Sequence, residues 1–252
     1  MSSVNRDVLT QYLDDLLKPE GFKDYCPNGL QVEGRDEIRS LVCGVTANQS
    51  LLDLALKSGA DAILVHHGWF WRGENGAVTG IKRNRLKTLL ANDINLYAYH
   101  LPLDAHPVLG NNAGLAKAAG WQQTGLFGEQ NLGCVGTPEA GSTIKTLTDS
   151  LAKVLGRAPF VLAESMDQPV RRVAWCTGGA QSYFEAAIQA GADVFVTGEV
   201  SEPMVHLARE TGVAYVAAGH HATERFGVQA LGVSIASQFG IKVSYLEVDS
   251  PV

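Results

Sequence analysis

The chain has 252 residues, 46% hydrophobic and 18% charged, so it can bury a large core and lacks the composition of a disordered segment. Its formal net charge of -6 argues against a general nucleic-acid binder, which needs a basic face to displace counterions. No apolar run reaches membrane-spanning length and the N-terminal residues lack the apolar stretch of a secretory signal, so a cytoplasmic protein without a membrane partner is expected.

Residues 6–17 carry Val8, Leu9, Tyr12, Leu13, Leu16 and Leu17 at helical spacing, with Asp7 near the start and Pro19 past the end. Asn28-Gly29 is a turn signal, and Leu30-Gln31-Val32 reads as a short edge strand. Residues 40–45 form a buried strand, and 50–58 a helix with Gly59 as its C-terminal cap. The run Ile63-Leu64-Val65 is a second buried strand that ends on His66-His67-Gly68. The β-α-β order predicts a parallel pair, with both imidazoles at the carboxyl edge where open α/β sheets place their ligands. Adjacent strand residues face opposite ways, so both can serve one metal pair only if the chain bends, and Gly68 supplies the backbone freedom.

An aromatic loop (Trp69, Phe70, Trp71) leads to a helix over 86–91 and a strand over 94–99 that stops at His100. The basic run Lys82-Arg83-Asn84-Arg85-Leu86-Lys87 reads as a solvated helix face. Residues 125–141 are glycine-rich without clear periodicity and read as a connection between two halves. A helix over 142–155, a strand over 174–177 and a helix opening at Gln181-Ser182 follow, then a strand over 194–197. His106 and His206 read as ordinary surface histidines. Cys26, Cys43, Cys134 and Cys176 form no CxxC pair and suit a reducing compartment.

The second half repeats the first. Gln49-Ser50 matches Gln181-Ser182, and Gly59-Ala60-Asp61 matches Gly191-Ala192-Asp193, both displaced by 193 − 61 = 132 residues. At that displacement His66-His67 falls on Gly198-Glu199. Further on, His100 and Asp104 match His220 and Glu224, displaced by 220 − 100 = 120. The expected fold class is therefore α/β, with two similar β-α-β-α-β halves whose matching strand ends meet at a shared crevice. The first half spans 1–125 and the second 126–252.

Such a crevice would collect His66, His67, His100, Asp104, His220 and Glu224. Imidazole with carboxylate suits zinc, iron, manganese or nickel, and the mixture is typical of two-metal hydrolytic sites. Two cations about 3.5–4 Å apart can activate water at neutral pH and polarise a carbonyl or phosphoryl oxygen. The sequence has no GxxxxGK[ST] phosphate loop and no GxSxG elbow, and Gly178-Gly179 reads as a tight turn.

The motifs 61–68, His100-Leu101-Pro102-Leu103-Asp104 and 219–224, together with Asn28-Gly29-Leu30-Gln31-Val32, resemble the GTP cyclohydrolase 1 type 2 family, the YbgI-like dinuclear metal-centre proteins. The resemblance implies an α/β fold of two intertwined, similar halves forming layered structure around a dinuclear metal crevice, packed as one unit without an inserted domain, with two divalent cations per subunit and a homohexameric ring. By motif position it implies the ligands His66, His67, Asp104, His220 and Glu224, with Glu224 as the bridge. The implied activity is a metal-dependent hydrolase opening the guanine ring of GTP or acting on a related nucleotide-like heterocycle. His100 and Glu199 are the candidates for catalytic proton transfer, with Glu199 alternatively an orienter of a ligand. The alternative function is a non-catalytic metal-binding ring that stores metal or docks partner proteins.

Overall fold

A computed structural model describes residues 2–252. It divides into two compact units. One takes the residues up to Leu109 together with Gly227–Asp249; the other takes Gly110–Phe226 with Ser250–Val252.

The first unit holds a five-stranded sheet in the order Lys242–Tyr245, Ser40–Thr46, Ala62–His67, Asn95–Ala98, Gly29–Val32. The first four strands run parallel, and Gly29–Val32 pairs antiparallel at the edge. Ala62–His67 is thus the middle strand, paired on both sides and apolar until its last two residues. Period-two alternation sends its side chains to two separate cores. Leu64 packs with Leu9 and Leu13 of the helix Arg6–Leu17 and with Leu231 and Ile235 of the helix Arg225–Phe239. Ile63 and Val65 pack on the opposite face with Leu51, Leu52 and Ala55 of the helix Gln49–Lys57 and with Leu89 of Gly80–Leu90. Helices on both faces of a mainly parallel sheet make this an α/β layered unit.

The second unit holds a six-stranded sheet in the order Gln122–Phe127, Gly133–Thr137, Val173–Trp175, Val194–Thr197, Ala214–Ala217, Phe160–Leu162. Val173–Trp175, Val194–Thr197 and Ala214–Ala217 are parallel, and the other pairings are antiparallel. Each unit therefore contains three consecutive parallel strands with an antiparallel edge strand beside the third. The sequence repeat is a repeat of topology.

One device recurs at the 132-residue displacement. Asp61 Oδ2 accepts the backbone N–H groups of Arg39 and Ser40 at 2.8 and 3.0 Å. Asp193 Oδ2 accepts those of Arg171 and Arg172 at 2.7 and 2.8 Å. Each carboxylate ties the start of one parallel strand to the start of its neighbour. Asp61 is the more buried and also pairs with Arg35 at 2.8 Å. Asp61→Ala is therefore expected to cost about 1–3 kcal/mol, because it leaves two part-buried N–H donors without their acceptor, and Asp193→Ala less. Urea denaturation of the two variants checks the order.

Two expectations need correction. Residues 125–141 are not an aperiodic connection. They contribute the antiparallel strands Gln122–Phe127 and Gly133–Thr137 of the second sheet. Their alternation is masked because glycines sit where neighbours press close. A Cβ on Gly133 would meet the Phe127 ring at 2.6 Å, and one on Gly136 would overlap the Gln122 carbonyl. The helix expected over 86–91 begins earlier, at Gly80. Its first turn is exposed, Ile81 at 70%, so no apolar face marks it.

Candidate metal centre

In the first unit the strand Ala62–His67 delivers His66 with no solvent exposure and His67 half-buried. His66 Nδ1 lies 3.0 Å from the Tyr99 carbonyl oxygen, which can only accept. Nδ1 therefore carries the proton, and Nε2 presents its lone pair 3.5 Å from Asp104 Oδ1. Asp104 sits on the short helix Leu101–Ala105, 7% exposed. His67 Nδ1 lies 3.1 Å from Thr46 Oγ1 on the adjacent strand. The rings of His66 and His67 are 4.6 Å apart, and each is within 6 Å of His100. Ligand atoms of these three histidines lie within 4.8 Å of one another. Gly68 does not take a left-handed turn here. It is needed for space, because a Cβ would overlap the Gln31 side-chain oxygen that accepts the Trp69 N–H at 2.7 Å.

His100 is held by a residue that no motif pointed to. Its Nδ1 is 2.7 Å from Asp24 Oδ1. The same carboxylate accepts the Tyr25 and Leu101 N–H groups at 2.6 and 3.0 Å and the Asn28 amide at 2.9 Å. Burial pushes the Asp24 carboxyl up, but these hydrogen bonds and the charge of His100 more than offset it and hold it at about 2. Asp24 is thus ionised and fully engaged, which makes it an orienter of His100 rather than a metal ligand. Trp71 adds a wall: its ring lies 5.1 Å from His100 and 6.1 Å from His67. The signal for Trp71 was the aromatic loop directly after His66-His67-Gly68. Asp24 gave none, being one acidic residue in a polar loop.

In the second unit the strand Ala214–Ala217 leads through Gly219, at φ 104, into the short helix His220–Thr223. His220 Nδ1 lies 2.7 Å from Glu199 Oε1, and Nε2 lies 3.1 Å from Oε2 of Glu224, itself 2% exposed. Burial opposes charge on His220, but the two carboxylates, Glu224 foremost, raise it to about 9. Glu199 is steadied by Gln181 Nε2 at 3.2 Å, and its carbonyl accepts the Tyr215 hydroxyl at 2.6 Å. Glycines make room for this arrangement. Gly178 has φ +71, and a Cβ there would overlap Glu224 Oε1. A Cβ on Gly198 would stand 2.6 Å from the Cα of His220. This explains why the second copy has Gly198 where the first has His66: the backbone entering His220 occupies the space.

The donor chemistry fits a divalent cation. Two ligands about 2.0–2.2 Å from one tetrahedral cation stand roughly 3.3–3.5 Å apart. The His66–Asp104 and His220–Glu224 separations of 3.5 and 3.1 Å are close to that span. Each imidazole also has its other nitrogen fixed by an acceptor, as metal-binding histidines require. These buried His, Asp and Glu groups could hold metal ions. His206 and His106 take no part: His206 is 60% exposed beside Glu202, and His106 Nδ1 accepts the Val108 and Leu109 N–H groups.

Residues 4–251 match the Duf34/NIF3 (NGG1p interacting factor 3) family. The chain belongs to that family. A relative from Pseudomonas aeruginosa, called GTP cyclohydrolase 1 type 2 homolog, is 50% identical over 251 residues, covering 97% of each chain. Among solved structures, protein ybgI, described as of unknown function, aligns with a TM-score of 0.95 at 46% identity, covering 99% of this chain and 100% of its own. TTHA1606 from Thermus thermophilus aligns with a TM-score of 0.87 at 33% identity, covering 99% and 100%. The Duf34/NIF3 membership agrees with the resemblance carried by the histidine motifs. No helix among the described residues is long and apolar enough to cross a membrane.

Proposed function

We propose that this Duf34/NIF3 protein is a dinuclear metal-dependent hydrolase acting on a nucleotide or related heterocycle, like the GTP cyclohydrolase its relatives are called after. In this reading His66, His67 and Asp104 of the first unit and His220 and Glu224 of the second would hold the divalent cations. The observation that carries it is the matched pair of arrangements. Each unit places, at the end of a parallel strand in the first and three residues past one in the second, an imidazole whose Nδ1 is held by an oxygen and whose Nε2 faces a buried carboxylate.

Bound cations would lower the pKa of water and polarise the oxygen of the bond to be broken. The chain's own residues do the rest. His100, its Nδ1 held by Asp24, accepts and returns a proton at Nε2. Glu199 holds the His220 ring in its working orientation. Trp71 covers the edge of the His67–His100 group and limits the approach of bulk water. The reading includes a cytoplasmic homohexameric ring: the family resemblance supports the ring, and the four buried cysteines suit a reducing compartment.

The test combines metal analysis of the purified protein with a screen of GTP and other nucleotides. His66→Ala is expected to lose bound metal and turnover together. Turnover that survives loss of the metal would end the hydrolase reading, and tight metal binding without turnover on any nucleotide would favour the storage or docking ring. Light scattering on the same sample reports the oligomer.

A further inference from the structure

The basic run on the helix Gly80–Leu90 is not uniformly solvated. Arg83 and Lys87 are exposed, whereas Lys82 and Arg85, three residues apart and hence on one face, are partly buried. Both line a cavity of about 360 Å³, whose walls include Trp69, Glu74, Thr79 and Ile81. That volume lies within the range of small-molecule sites. Lys82 Nζ donates to the Asn75 carbonyl at 3.1 Å, stands 3.7 Å from Glu74 Oε2, and lies 5.4 Å from the Phe70 ring centroid. The Glu74 pair is long and its carboxylate is 45% exposed, so it compensates Lys82 only in part. Arg85 makes no ion pair among the described residues, and its Nε is shut off from solvent with no acceptor. Two cations therefore face the cavity against one carboxylate.

A partly buried, uncompensated guanidinium is costly unless an anion meets it. The planar fork of Arg85 and the point charge of Lys82 suit a tetrahedral oxyanion. Thr79, at the start of this eleven-residue helix, makes no side-chain cap, so the positive end of the helix faces the same region. Trp69 and Ile81 give the cavity an apolar wall, more than a lone inorganic ion needs.

We propose that this cavity binds a phosphate-bearing small molecule, its phosphate between Lys82 and Arg85 and its apolar body against Trp69 and Ile81. The inference goes beyond the metal-dependent reading and does not require the cations. Calorimetric titration of the full chain with inorganic phosphate and with phenyl phosphate tests it. Phenyl phosphate is expected to bind more tightly than phosphate. Arg85→Gln and Lys82→Gln should each weaken it about tenfold, the loss of one charge-assisted contact, whereas Arg83→Gln and Lys87→Gln should leave it unchanged. Binding retained in His66→Ala supports a site apart from the metal ligands. Affinity that is equal in all four basic variants, absent from the native chain, or abolished by His66→Ala would overturn the assignment.

Discussion

Gly178→Ala is expected to weaken metal binding about 10–100-fold, the usual consequence of displacing a group that supports a ligand. Gly178 stands at φ +71, and the added methyl would overlap Glu224 Oε1. The backbone strain alone costs about 1–2 kcal/mol. The larger effect is on Glu224, which must swing away from His220 Nε2, now 3.1 Å distant. Gly191→Ala is the control. Gly191 has φ +77 but nothing within 4 Å of its would-be Cβ, so it carries the same strain without moving a ligand. Metal content measured after dialysis against a weak chelator should fall for Gly178→Ala and hold for Gly191→Ala. Equal metal content in the two variants would remove Glu224 from the proposed ligand set.

Asp24→Asn carries the second large effect. If His100 moves a proton, removing the charge that holds its Nδ1 should lower turnover about 100-fold on any nucleotide the screen returns. Metal content should be unchanged, because Asp24 spends its oxygens on His100, Asn28 and two backbone N–H groups. A parallel fall in metal and turnover would instead make Asp24 part of the metal shell. The same variant has a stability signature. The Asp24 carboxyl is held at about 2, below its ordinary 3.8. Its contribution is therefore complete above pH 3.8 and fades as pH falls through about 2. Denaturation midpoints of the native chain and Asp24→Asn should differ most near neutrality and converge toward pH 2.

How much of this could be read from residues alone depended on whether the signal was local. The helix Arg6–Leu17 was legible to the residue because its apolar stripe, Asp7 in its first turn and the following Pro19 all agree, and the structure adds an Asn5 cap. The strand Ala62–His67 was legible because a buried parallel strand is apolar on both faces until it reaches its ligands. The repeat showed through because Asp61 and Asp193 each close a strand entrance, a job that fixes residue type and position together. The masked cases share one cause. At Gly133, Gly136 and Gly178 the side chain is missing to admit a ring, a carbonyl or a carboxylate from elsewhere in the chain, and a sequence shows only the missing side chain. Gly178 read as a tight turn, which it is; the carboxylate it admits was invisible. Asp24 was hidden for a related reason, since its partner His100 lies 76 residues away.

The five-stranded sheet of the first unit takes its outermost parallel strand from late in the chain. Its strand Ser40–Thr46 is bordered by Lys242–Tyr245, the paired residues lying 242 − 40 = 202 positions apart in the chain. During synthesis that border stays open while Gly110–Phe226 emerges with all six strands of its own sheet. The six-stranded sheet of the later-made unit can therefore form before the earlier sheet gains its last strand, and for that interval one margin of the strand Ser40–Thr46 stays unpaired.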